Sequence, residues 1–128
     1  MTITFHVEGT PAPQGSKTRT RYGMFESSKR VKPWREAVIA AVSNMEQIAP
    51  PYEVRAHFFI PRPRTTAAAH PVAPAIGDVD KMLRATLDGL TQGGIITDDR
   101  FVIEAHTSKA WAGEDGPGAV VQIRHVSN

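Results

Sequence analysis

Cysteine is absent from the 128 residues of this chain, which removes disulfides, thiolate zinc sites and cysteine nucleophiles together. Any metal must then be held by Asp, Glu, His or backbone oxygen. Histidine is sparse as well. His6, His57, His70, His106 and His125 include no pair at the spacing of three or four that puts two imidazoles on one helix face. Zinc is disfavoured, and an oxygen-ligated Mg²⁺ or Mn²⁺ suits the donors that remain. No apolar run approaches the roughly 20 residues of a membrane helix, and the N-terminus has no apolar signal-peptide core. These absences predict a soluble, cytoplasmic protein with no membrane partner.

What is present is one domain's worth of chain, with hydrophobic residues at 41% and charged residues at 22%, close to globular averages. The net charge of +2 conceals a gradient. Residues 1–36 carry seven Lys/Arg against three Glu, whereas residues 71–128 carry five Lys/Arg against eight Asp/Glu. A basic front suits phosphate binding and an acidic back suits a cation, although a solvated basic loop accounts for the front equally well.

Thr2–Glu8 alternates polar and apolar residues and reads as a half-buried strand with Ile3, Phe5 and Val7 inward. Pro11, Pro13, Gly9 and Gly15 end it. The basic arm that follows, Lys17 to Arg30, is a ragged hairpin or a loop. Its Lys17, Arg19, Arg21, Lys29 and Arg30, with Lys32 just beyond, are candidate phosphate contacts. Tyr22 and Phe25 either stack on unpaired bases or pin the arm to the core. Pro33 and the recurrence of Trp34, Val38, Ala41, Val42, Met45 and Ile48 predict a helix over 33–48. Tyr52–Ile60 predicts a strand with Tyr52, Val54, Ala56 and Phe58 inward and His57 on the other face. Residues 61–76 form a Pro/Ala-rich loop that delivers Arg62 and Arg64 toward the next element.

That element is a helix over 79–91, buried along Val79, Met82, Leu83, Leu87 and Leu90 and stopped by Gly93 and Gly94. Strands over Phe101–Trp111 and Ala119–Val126 complete the chain. The expected fold is α+β: a single domain with a mixed β-sheet and two helices packed on one face.

Two acidic pairs flank the second helix. Asp78 falls at its N-cap and Asp80 in its first turn, where capping and the helix dipole suffice to explain both. Asp98 and Asp99 are explained equally by a turn. If the returning strand sets Asp99 beside the helix start, three carboxylates converge and need a cation, for which a divalent metal is suited.

The compound pattern Asp78-Val79-Asp80-Lys81-Met82-Leu83-Arg84, Asp88-Gly89-Leu90, Gly94-Ile95-Ile96 and Asp98-Asp99 resembles the RusA family of Holliday-junction resolvases, common in phages and prophages. The resemblance implies a Mg²⁺-dependent endodeoxyribonuclease with the RusA-like fold, acting in bacterial or phage-infected cells on four-way DNA as a homodimer. It places the metal-binding, catalytic acids on Asp78, Asp80 and Asp99. Two departures stand out. The family's usual Asn after the second Asp is here Lys81, and its usual Lys four residues after that Asp is Arg84. Arginine neutralises phosphate well but does not donate a proton at neutral pH. Lys81 and Arg84 are therefore both candidates for the catalytic cation. The rival reading is a branched-DNA-binding protein of the same fold without cleavage. A sugar-nucleotide transferase is disfavoured, because the chain lacks room for a nucleotide-binding domain.

Overall fold

In the computed structural model the described residues are 1–15, 17–20, 23–26 and 29–127, the second and third of these segments by their backbone. The element order is β1 (Thr2–Glu8), β2 (Lys17–Thr20), β3 (Gly23–Glu26), α1 (Val31–Val42), β4 (Tyr52–Ile60), α2 (Val79–Gln92), β5 (Val102–Trp111) and β6 (Gly118–His125). Four strands form one mixed sheet in the order β1-β6-β4-β5, and β2 and β3 form a separate two-stranded sheet. β6 is antiparallel to both β1 and β4, while β4 and β5 are parallel. The chain therefore makes two crossovers between parallel strands, β1–α1–β4 and β4–α2–β5. Both step across the sheet in the same direction, so crossovers of the usual right hand put both helices on one face. The α+β expectation of a mixed sheet with two helices on one face is met.

Each helix runs back against the strands it joins, so α1 and α2 are parallel to each other and pack closely. A Cβ placed on Gly89 would lie 2.8 Å from the Val38 side chain and 3.3 Å from the Arg35 carbonyl oxygen. Deep in this layer Trp34 Nε1 donates to Thr86 Oγ1 at 3.1 Å, which satisfies a buried indole N–H. The Trp34 ring meets Phe58 edge to face, with centroids 6.2 Å apart. The predicted inward face of β4 is correct: Tyr52, Val54, Ala56 and Phe58 are fully buried. His57 points to the opposite face and hydrogen-bonds Ser108 at 2.7 Å.

The boundaries need five corrections. α1 begins at Val31, two residues before the expected start. α1 ends at Val42, not 48, because Ser43 and Met45 bond back three residues to Ala40 and Val42, tightening and then releasing the last turn. Ile48 is buried, but its N–H bonds the Ile95 carbonyl from an extended segment. β5 starts at Val102 after a 3-10 turn over Asp99–Phe101, and β6 is shifted one residue earlier than expected. α2 runs one residue longer than predicted. The basic arm, open between hairpin and loop, contains the antiparallel pair β2–β3 with Lys17 opposite Glu26. Arg21 and Tyr22 lie outside the described residues, as do the side chains of Lys17, Arg19 and Phe25. No helix among the described residues is long and apolar enough to cross a membrane.

Gly89→Ala tests the helix contact. In an open helix the substitution would stabilise by about 1 kcal/mol. Here the added methyl must push Val38 and the α1 backbone away, so a net loss of about 1–3 kcal/mol is expected, read as a lower thermal midpoint.

Candidate active site

The parallel crossovers place the N-termini of both helices at the end of the sheet where β1 and β4 finish. The β2–β3 arm leaves β1 at this end and residues 61–77 leave β4 there. Arg30 is tied into the same region, its guanidinium donating to the Ala75 carbonyl at 2.8 Å. Lys29, Lys32, Arg62 and Arg64 are all exposed. Two helix N-termini and these cations are groups suited to phosphate, and they share this end with Glu8, Asp78, Asp80 and the Glu114–Asp115 turn.

At this end lies the first acidic pair. Asp78 occupies the N-cap of α2, yet its side chain makes no capping hydrogen bond among the described residues. Its carboxylate is exposed and lies 3.8 Å from Lys81 Nζ, a loose pair worth little in water. Asp80 is exposed in the first turn. Asp80 has the first-turn position that the dipole explanation requires, whereas the capping explanation fails for Asp78. Arg84 is exposed one turn beyond Asp80, and Lys81 is half-buried.

Other contacts hold the start of α2. The Pro13 ring occupies the space a side chain at position 77 would need, and Gly77 has a positive φ of 97°. Gln14 N–H donates to the Lys81 carbonyl at 3.0 Å, and Lys109 Nζ reaches across from β5 to donate to the Gly77 carbonyl at 2.8 Å. Among the described residues Gln14 Oε1 is the one buried side-chain polar atom without a hydrogen-bond partner. Neither Gln14 nor Lys109 was singled out in the sequence, because no local pattern announces a contact between elements so distant in the chain.

The second acidic pair sits elsewhere. Because β5 runs antiparallel to α2, its end, at Lys109, meets the helix start, and its beginning meets the other half of the helix. Asp98 accepts from Arg100 N–H at 2.9 Å and caps the 3-10 turn. Asp99 is raised above the ordinary carboxylate range by partial burial of its carboxyl, by the hydrogen bond it shares with Asp98 and by the fields of Asp98 and Asp88. Asp98 is lowered by the Arg100 N–H and by the same bond with Asp99. Asp88 lies ten residues along α2 from Asp78, a rise of about 15 Å. The expectation that Asp99 returns beside the helix start is thus corrected, since the crossover brings it to the Asp88 level. Asp78, Asp80 and Asp99 do not bring their oxygens within 4.8 Å of one another in a single chain; Glu53, Glu104 and His106 do.

That last cluster lies on the sheet face away from the helices and is already neutralised. Glu53 is 5% exposed and accepts from Arg124 at 3.3 Å and from Arg55 at 3.3 Å. The Arg124 hydrogen bond, followed by one with Glu104, holds the Glu53 carboxyl down to about 2. A concavity of about 650 Å³ beside the β5–β6 turn is lined by His6, Glu8, Phe59 and Trp111 and contains none of the acids flanking α2.

The family model of the endodeoxyribonuclease RusA matches residues 7–124. The chain belongs to the RusA family. No curated protein matches it. Membership of RusA makes the chain an endodeoxyribonuclease by family, and the matched span runs from the end of β1 through both helices, β4 and β5 into β6. The donors fit a hard cation in chemistry: Asp78 and Asp80 are exposed carboxylates, and the Asp78 side chain is not used in capping.

The arginine-held Glu53 gives a pH prediction. Its carboxyl is depressed from 4.5 to about 2, so its contribution to stability is complete above about 4.5 and is lost as pH falls toward 2. Glu53→Gln lowers the thermal midpoint at neutral pH, and its gap to wild type should narrow through that window in circular-dichroism melts.

Proposed function

We propose that this RusA-family chain is a Mg²⁺-dependent endonuclease that nicks four-way DNA junctions as a homodimer, each site drawing acids from both copies. The observation that carries the reading is the uncapped, exposed Asp78 with Asp80, set where two helix N-termini and the basic segments meet. Asp78 and Asp80 of one copy, with Asp99 of the other, would hold the ion, for which Mn²⁺ is a substitute. When bound, such an ion lowers the pKa of a water and offsets charge on the scissile phosphate.

The remaining work falls to the protein. Lys29, Arg30, Lys32, Arg62 and Arg64, with Lys17, Arg19 and Arg21 of the arm, grip phosphates by charge, which makes binding steeply salt-dependent. Arg84, and Lys81 beside Asp78, offer donors to the charge that develops on the phosphate oxygens. Arg84 acts by bidentate contact and not as a proton source.

The positions of the acids at the two ends of α2 support the use of two copies. A twofold axis that lays α2 antiparallel to its equivalent brings the Asp78 end of one copy to the Asp99 end of the other, twice. Paired sites related by a twofold also suit the symmetry of a four-way junction.

A synthetic four-way junction with Mg²⁺ or Mn²⁺ tests the reading. Wild type should cut it, and Asp80→Asn should cut about 10²–10³-fold more slowly while still binding. Binding with no metal-stimulated cutting by wild type favours the non-catalytic junction binder. Mixed dimers test the shared site. Asp80→Asn and Asp99→Asn are each expected to be slowed to that extent, and subunit exchange between them should restore nicking toward half the wild-type rate, because the mixed dimer then carries one intact site. If both acids acted within one chain, every site in the mixture would stay slowed.

A further inference from the structure

We propose that Lys109 is a positioning residue for the α2 acids, fixing the backbone that presents Asp78 and Asp80 to a divalent cation; this rests on reading those two residues as metal-holding. The Lys109 ammonium donates at 2.8 Å to the carbonyl of Gly77, the residue immediately before Asp78. The bond crosses from the sheet to the helix start, and Lys109 is opposite Phe58 in the β4–β5 ladder, so its origin is rigid.

The contact matters because α2 lacks its usual restraint. A capping aspartate fixes its own position by bonding the first-turn N–H groups. Asp78 does not, and its backbone is extended with φ −84° and ψ 142°. The preceding Gly77 has φ 97°, a conformation with little intrinsic preference to hold it. What fixes this joint is the Pro13 ring on one side and the Lys109 ammonium on the other. Pro13 excludes alternative positions by volume, whereas Lys109 supplies the directional bond. Groups that orient metal ligands without touching the ion commonly alter metal affinity by about 10–100-fold when removed.

The sign of the effect separates positioning from bare charge. An ammonium that merely lay near the site would repel a cation, and its loss would tighten metal binding. An ammonium that holds the ligands in place weakens binding when it is lost. Mn²⁺ alone, titrated onto the full-length protein and followed by electron paramagnetic resonance, reads this without any cleavage. Lys109→Met should bind Mn²⁺ about tenfold more weakly than wild type. Lys109→Arg, which can reach the same carbonyl, should recover most of the loss. In junction cleavage, Lys109→Met should need more Mg²⁺ for half-maximal rate and approach the wild-type rate at saturation.

Unchanged or tighter Mn²⁺ binding by Lys109→Met overturns the positioning role, even where wild type cuts junctions and the nuclease reading stands. Weaker binding rescued by arginine supports it, including where wild type fails to cut and the nuclease reading falls. A uniform loss of rate at every Mg²⁺ concentration, with a lower thermal midpoint in both variants, marks a structural residue only and also overturns it.

Discussion

Handedness of the two parallel crossovers is the constraint from which the rest of this structure follows. β1 and β4 are parallel with β6 between them, and β4 and β5 are parallel neighbours. Since both connections step the same way, the rule for right-handed crossovers leaves one face for both helices and one direction for both axes. Close packing then decides what touches what: Gly89 lets Val38 approach, and Trp34 finds Thr86. The same geometry gathers two helix N-termini, the exit of the β2–β3 arm and the start of the 61–77 loop at one end. The grouping of phosphate-binding candidates there arises from the direction of the elements as much as from the number of Lys and Arg.

That constraint also separates the acids. A helix joining parallel neighbours must run antiparallel to them, so residues just before and just after it meet opposite ends of the strand that follows. Lys109 comes to Gly77 and Asp99 comes to the Asp88 level for this single reason. In one copy Asp99 is raised by partial burial of its carboxyl, by its bond with Asp98 and by the fields of Asp98 and Asp88. In the proposed dimer the separation is what makes the site shared, and it couples assembly to metal affinity without any further device.

Much of the fold was legible because its signals are local. Alternation over Tyr52–Ile60 identified the buried face of β4, and the 3.6-residue stripe from Met82 to Leu90 with Gly93 beyond it marked α2. The end of α1 was misjudged because Ile48 is apolar and at helical spacing, yet is buried through an extended segment bonded to Ile95. The acids Asp78, Asp80 and Asp99 were visible as a pattern, but their distances were not. Spacing in sequence says that a chain turns back; it does not say which end of the returning strand arrives. Lys109 was illegible for the same reason, since its importance lies in a bond spanning thirty-two positions of sequence.

In the proposed metal site the start of α2 trades local stability for function. A capping aspartate at position 78 would satisfy first-turn N–H groups and stabilise the helix by about 1 kcal/mol. Its carboxylate would then be committed to the helix. Here the cap interaction is not made, and the joint is held from outside by Pro13, by the Gln14 N–H on the Lys81 carbonyl and by Lys109 on the Gly77 carbonyl. Three contacts from two other parts of the chain replace one local bond. The exchange leaves the Asp78 carboxylate exposed beside Asp80 while the backbone beneath it stays fixed, which is the condition a cation-binding carboxylate has to meet.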